Sequence, residues 1–214
     1  MTESAHGIVL RTRPLTETSL IVHWLTPSFG RISTVAKGAR RPKSSFAGKL
    51  DLFYEADISF ARSRKSDLHI LREVNLRGTN KFLRDDILKL NRAAYAAAFI
   101  EQATETETAL PAVFDLLREF LKALGAQQSP AATIVFAFEL KLLRELGLAP
   151  DLAGAGLSAG IKKIAGLLLE KHFALEENLK LTNSQNGELR QFLHGFLIFH
   201  LGKLPPGRGP ALKI

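Results

Sequence analysis

The apolar residues of this chain keep one period up to Gly78 and another after it, and no single layer of secondary structure accommodates both. Before Gly78 they alternate. Gly7 to Arg13 carries Ile8 and Leu10 on one face, and Thr18 to Thr26 sets Leu20, Val22 and Trp24 against Ile21, His23 and Leu25. Arg31 to Lys37 sets Ile32, Thr34 and Ala36 against Arg31, Ser33 and Lys37, and strand-like runs follow at Leu52 to Phe60 and Leu68 to Leu76. Pro27 to Gly30 and Ser63 to Asp67 supply turn residues between them. Five short antiparallel strands with short turns predict a small Greek-key barrel of the oligonucleotide-binding (OB) type.

After Gly78 the spacing becomes three and four. Thr79 or Asn80 can cap a helix through Ile87, Leu90, Ala94 and Ala97. Leu110 to Leu124 carries Val113, Leu116, Leu117, Phe120, Leu121 and Leu124 on one stripe, with Gly125 as its stop. Ser129 and Pro130 read as cap and first-turn proline of a helix that turns Val135, Phe138, Leu142 and Leu146 inward until Gly147. A shorter helix spans Ile161 to Lys171. The last, Glu188 to Leu201, buries Leu189, Phe192, Leu193, Phe196 and Leu197 and ends at Gly202. The expected class is α+β, with a barrel over 1–78, an all-α domain over 79–214, and a Pro/Gly/basic tail at 203–214.

Charge singles out one part of the barrel. No acidic residue lies between Glu17 and Asp51, whereas Arg31, Lys37, Arg40, Arg41, Lys43 and Lys49 all do. Gly38 and Pro42 make the centre of this stretch a loop. Uncompensated like charge is costly unless it meets an anion, and on a small β-module a phosphate backbone is the fitting one. Arg31, Lys37, Arg40, Arg41, Lys43 and Lys49 are therefore the predicted phosphate contacts, against the plainer reading of a solvated loop. Phe46, inside the loop, is the predicted base-stacking residue; Phe29 and Tyr54 can stack but suit the core equally. Arg62, Arg64 and Lys65 form a second basic turn that can extend the groove, and Arg11 and Arg13 are weaker candidates on the first strand.

The composition supports an acidic partner and removes several chemistries. The 214 residues carry a formal charge of +8 with pI near 9.9, 46% are hydrophobic and 23% charged. The absence of cysteine excludes disulfides, thiolate zinc sites and a cysteine nucleophile. Met1 to His6 has no apolar signal core, and no run approaches the ~20 apolar residues of a membrane span, so a cytoplasmic protein is expected. The histidines His6, His23, His69, His172, His194 and His200 form no i,i+4 pair for a metal. Gly154, Gly156 and Gly160 lack the strand and spacing of a dinucleotide fingerprint and read as a connection. Glu101, Glu105 and Glu107 form an acidic run with no partner for acid–base work. No enzyme, cofactor or metal is expected.

Several segments resemble the bacterial RecO family of recombination mediators. They are Gly7-Ile8-Val9-Leu10-Arg11-Thr12-Arg13, Gly30-Arg31, and Val35-Ala36-Lys37-Gly38-Ala39-Arg40-Arg41-Pro42-Lys43-Ser44. Further likeness lies in Phe138 to Leu143, Gly147 to Leu152, and His200-Leu201-Gly202. The resemblance implies an OB barrel, a helical C-terminal domain and a non-enzymatic role. That role is binding single- and double-stranded DNA, annealing strands, and acting with RecR to help the recombinase displace single-strand-binding protein. The acidic, apolar-ended tail of single-strand-binding protein is implied to dock on the helical domain. Arg118, Lys122, Lys141 and Arg144, on polar helix faces beside apolar stripes, are the candidates, against plain solvated faces. Many relatives carry a four-cysteine zinc module after the position of Pro150-Asp151-Leu152; here Ala153 to Gly160 has no thiol. A non-catalytic protein adaptor and an RNA-binding barrel are the rival functions.

Overall fold

The computed structural model describes residues 2–128, 131–170, 172–173, 179 and 181–213. Five strands form the first part: β1 (Thr2–Pro14), β2 (Leu20–Thr26), β3 (Gly30–Ala36), β4 (Glu55–Ala61) and β5 (Leu68–Gly78). They close in the order β1-β2-β3-β5-β4, as the alternation predicts for an OB-type barrel. Alternation fixes what faces inward. Val22, Trp24, Ile32, Ala36, Ile58, Phe60, Leu71 and Val74 form the barrel core, and the Trp24 indole N–H donates to Thr34 Oγ1 at 2.9 Å. One pairing differs from the expected antiparallel set. β3 and β5 run parallel over Ser33–Val35 and Leu68–Ile70, because the chain reaches β5 through β4 on the far side of the closure. The run expected from Leu52 becomes a strand only at Glu55. Before it, Phe53 takes a left-handed φ of 62° and its ring enters the core.

The short β3–β5 pairing leaves the first half of β3 without that neighbour, and a distant segment fills the gap. Thr106 pairs in parallel with Arg31, and the Glu107 N–H donates to the Arg31 carbonyl at 2.9 Å. An open strand edge is a pairing liability, and covering it with a strap is a recurrent remedy. Gly30 permits the approach. Its φ is +61°, and a Cβ there would overlap the Thr108 carbonyl. The chain accordingly divides into Met1–Lys81 with Thr104–Asp115, and Phe82–Ala103 with Leu116–Ile214. The expected boundary at Gly78 takes no account of this return.

The second unit is helical: α1 (Ile87–Ala103), α2 (Pro111–Ala126, whose first turn belongs to the barrel unit), α3 (Thr133–Glu145), α4 (Ala159–Glu170), α5 (Asn183–Leu201) and a short α6 (Arg208–Ala211). A 3-10 turn at Lys81–Leu83 occupies the expected start of α1. α3 is buried all along Thr133–Leu143, as a helix surrounded by partners must be. Phe138 meets Phe120 at 4.7 Å and Phe99 at 6.4 Å between ring centroids. Ser129, Pro130 and Lys171, read as helix ends, lie outside the described residues. The stop at Gly147 is built as expected. Its φ is 72°, its N–H donates to the Arg144 carbonyl, and the Leu148 N–H to that of Leu143 at 2.8 Å. Gly125 is not a stop. α2 runs past it, and the Phe82 ring lies 2.9 Å from where its Cβ would stand, so the glycine serves packing.

α1 is phased differently from its predicted stripe. Ile87 is 72% exposed and Ala94 also faces out, while Lys89, Arg92, Tyr95 and Phe99 turn in. The buried cations are satisfied by carbonyls. Lys89 Nζ donates to Gln127 O at 2.7 Å, and Arg92 Nε to Ala211 O at 3.1 Å. Burial, opposed by Asp86, lowers the Arg92 pKa to about 10. On α5, Leu189, Leu193 and Leu197 are buried, whereas Phe192 and Phe196 are only half-buried.

Candidate nucleic-acid interface

The loop from Lys37 to Tyr54 is a chain of consecutive turns. Arg41 N–H donates to Gly38 O at 3.0 Å, Ser44 N–H to Arg41 O at 3.1 Å, Ala47 N–H to Ser44 O at 3.1 Å, and Lys49 N–H to Phe46 O at 3.0 Å. Gly38 and Gly48 take the left-handed conformations these turns need, with φ near +70°. Arg40 ties the loop to the β1–β2 connection: its N–H donates to Thr18 O at 3.0 Å and Nη1 to Thr16 O at 3.3 Å. On this framework Lys37, Arg40, Arg41 and Lys43 stand exposed, and no ion pair engages them among the described residues. Lys49 is half-buried at the loop's far end.

Three predicted contacts are placed otherwise. Phe46 is 8% exposed and belongs to the barrel core, against which Ala39, Leu50 and Tyr54 of the same loop also pack. A large apolar ring gains more from that core than from water, so Phe46 anchors the loop and offers no face to a base. Arg31 is half-buried against the strap, with Nε donating to Thr104 Oγ1 at 2.8 Å and Nη2 to Thr104 O at 2.5 Å. Arg62 forms an ion pair with Glu107 and lies over the Phe29 ring, 5.9 Å from its centroid. Phe29 itself packs edge-on to Phe60, and Tyr54 is likewise partly buried. Arg64 and Lys65 remain exposed in a turn held by Ser63 and Ser66.

The outer face of β1–β2–β3 gathers Arg11 and Arg13, the weaker candidates by sequence, around His23, which the sequence marks for no binding role. His23 is the cross-strand partner of Arg11 on one side and Ser33 on the other, and its Nδ1 lies 2.9 Å from Ser33 Oγ. Burial first, then the charges of Arg11, Arg13 and Arg31, hold its pKa down at about 4. Three cations therefore converge on an imidazole that stays neutral, and this part of the face is electropositive. Period 2 on β1, β2 and β3 was the signal: it puts these side chains on one surface. At the end of β1 that pairs with β4 the charges reverse. His6 bridges Glu55 Oε1 at 2.6 Å and Asp57 Oδ1 at 2.8 Å, and Asp57 also receives Arg77. Hydrogen bonds from His6 and then Arg77 lower the Asp57 pKa.

In the helical unit, Arg118 and Lys122 are exposed on α2, as a docking role requires. Lys141 is 5% exposed, and its Nζ donates to the Leu168 carbonyl at 2.5 Å and lies 5.2 Å from the Phe173 centroid. It closes the C-terminal end of α4 and cannot also face a partner. Arg144 joins it there, donating to Leu169 O at 2.8 Å, and pairs with Glu145 at 3.1 Å. Among the described residues no three His, Asp or Glu side chains group as metal ligands, and no helix is long and apolar enough to cross a membrane.

Two family models match consecutive parts of the chain. Residues 1–80 match the family described as Recombination protein O N terminal, and residues 84–156 that described as Recombination protein O C terminal. The DNA repair protein RecO of Exiguobacterium sibiricum is 28% identical over 212 residues, covering 95% of this chain and 82% of that protein. That of Bacillus subtilis is 32% identical over 152 residues, 71% of this chain but 58% of the relative. That of Halalkalibacterium halodurans is 25% identical over 222 residues, spanning 100% of this chain and 86% of the relative. With the two models matched in order over residues 1–80 and 84–156, and a closed five-strand barrel preceding the helices, the chain belongs to the RecO family of DNA repair proteins.

Proposed function

We propose that this protein is a non-catalytic recombination mediator that binds and anneals DNA strands and, with RecR, helps load recombinase on single-stranded DNA coated by single-strand-binding protein. One observation carries the reading: a loop on an OB-type barrel holds Lys37, Arg40, Arg41 and Lys43 in solvent, and among the described residues no ion pair engages them. Its backbone is satisfied internally, so the cations are displayed at little cost to the barrel and are ready for phosphate. Arg11, Arg13, Arg64 and Lys65 extend the positive surface. For the tail of single-strand-binding protein, Arg118 and Lys122 on α2 are the remaining candidates, because Lys141 is committed inside the unit and Arg144 to the end of α4.

A salt titration of binding to single-stranded oligonucleotides tests the reading. With about four to six phosphates met, the log-log slope should lie near −3 to −4, at ~0.7 per contact. A slope near zero would overturn it in favour of an adaptor, and preferential competition by RNA of the same length would redirect it to RNA. Annealing of complementary strands by the pure protein tests the mediator role itself.

A further inference from the structure

Glu107 is the one acidic side chain that reaches into the cationic surface from the strap. Its φ is +57°, a left-handed conformation uncommon outside glycine. The Arg31–Thr106 pairing and the Glu107 N–H bond to Arg31 O hold the backbone there, and the carboxylate then meets two groups at once. Oε2 pairs with Arg62, and Oε1 lies 3.3 Å from His69 Nε2. His69 is 1% exposed and stacks on Phe60 at 5.3 Å. The Ser63 N–H donates to its Nδ1 at 3.4 Å, so the ring proton of the neutral tautomer sits on Nε2, the ring nitrogen near Glu107. That contact is not aligned as a hydrogen bond, and Nε2 is left as a buried polar atom without an acceptor.

An arginine and a buried, unsatisfied imidazole N–H that converge on one carboxylate form an anion site. The carboxylate fills it incompletely, because Oε1 lies 3.3 Å from Nε2 without aligning on it. A phosphodiester has the same charge, and its two non-bridging oxygens accept over a wider range of directions than the in-plane lone pairs of a carboxylate, so one can take Arg62 while the other takes His69. We propose that Arg62 and His69 form a phosphate subsite of the nucleic-acid surface, and that Glu107 is its built-in occupant, displaced when a DNA backbone enters. This rests on the reading of the surface as DNA-binding and adds a competitor to it. Free protein keeps a buried N–H and a strand edge covered. Nucleic acid must exchange its phosphate for a carboxylate, which favours a continuous polyanion over scattered small anions.

The test is Glu107→Gln, which keeps the size of the side chain and its backbone bond to Arg31 but removes the charge. Glu105→Gln, at an exposed neighbour, removes the same formal charge without that contact. Glu107→Gln should tighten binding of a short oligo(dT) several-fold more than Glu105→Gln does, and Arg62→Ala placed in the Glu107→Gln background should abolish the gain. In wild-type protein the ring nitrogen resonances of His69 should shift as oligo(dT) is added, a readout that needs no variant to fold. Equal effects of the two Gln variants, or a His69 signal unmoved at saturating DNA, would overturn the proposal. In that case wild-type binding with its salt slope would still stand. Loss of both together would mean that the surface does not bind nucleic acid at all.

Discussion

Arg40 and Arg41 sit where a change of charge can be separated from a change of fold. The backbone bonds from Arg40 N–H to Thr18 O and Arg41 N–H to Gly38 O do not depend on their side chains, and the bond the Arg40 side chain adds, Nη1 to Thr16 O at 3.3 Å, is exposed to water. Replacing both with Ala should move the melting temperature by no more than about two degrees, since exposed substitutions usually change stability by no more than ~0.5 kcal/mol. The salt slope for single-stranded DNA should fall by roughly 1 to 1.5, at ~0.7 per lost contact, and annealing should fall with it. A variant that melts normally and keeps its slope would move the phosphate contacts to Arg64, Lys65 or the β1–β2–β3 face. His23 gives a different handle. Its native pKa of about 4 lies below the ordinary 6.5, so between those values the unfolded chain takes up a proton that the native protein refuses. His23 therefore withdraws stability as pH falls from 6.5 towards 4 and leaves it untouched above that window. His23→Gln should shrink the loss of urea-unfolding free energy between about pH 7 and 4.5 by on the order of 1–2 kcal/mol, allowing for partial exposure. An acid loss as large as that of the wild type would show that other groups dominate.

Among the elements, the basic loop shows both the reach and the limit of the sequence. Its charges, its turn glycines and its place after β3 are written in residues 30 to 49, and so is the alternation that closes the barrel. The role of Phe46 is not, because a ring in a basic loop suits a base and a core equally until the loop's path is known. Phe46→Ala should cost about 3–4 kcal/mol by urea unfolding, as loss of a buried ring does, while leaving the salt slope unchanged because every cation remains. A near-neutral stability change would return Phe46 to the surface. The strap was harder to read. Thr104 to Thr108 alternates Thr with Glu at the period of a strand but has no apolar residue to give it a buried face, and its place is set by the edge that β3 leaves open, a consequence of pairings far apart in sequence. α1 was misphased for a related reason. Lys89 and Arg92 count as polar in any periodicity, and they turn inward only because the carbonyls of Gln127 and Ala211 wait there. The Thr182–Gln185 capping box that opens α5 was legible in its spacing but lay before the first apolar residue.

At the scale of the molecule, the tail read as a Pro/Gly/basic appendage is part of the helical interior. Arg208 at the start of α6 reaches Glu139 of α3 with Nε to Oε1 at 2.7 Å and Nη2 to Oε2 at 2.9 Å, and Tyr95 of α1 donates to the same carboxylate at 2.5 Å. Glu139 is fully buried and Arg208 nearly so. Burial, and then the Glu139 charge and hydrogen bond, push the Tyr95 hydroxyl well above the usual phenol range. Burial acts to lower the Arg208 pKa, yet the bond and charge of Glu139 leave it raised. Breaking such a pair from one side strands the other charge, which costs roughly 3–5 kcal/mol, whereas replacing both with apolar groups is often close to neutral. Arg208→Met should therefore destabilise strongly, and Glu139→Leu with Arg208→Met should recover much of the loss, less the orphaned Tyr95 hydroxyl. The two units carry separate reporters. Trp24 is the chain's only tryptophan and lies in the barrel core, while far-ultraviolet circular dichroism is dominated by the helices. In Arg208→Met the dichroism transition should move to lower urea and the Trp24 fluorescence transition should stay near its wild-type midpoint, because the lost pair belongs to the helical unit alone. If both transitions shift together by the same amount, the barrel and the helices unfold as one cooperative body and the division of the chain into independent units is wrong.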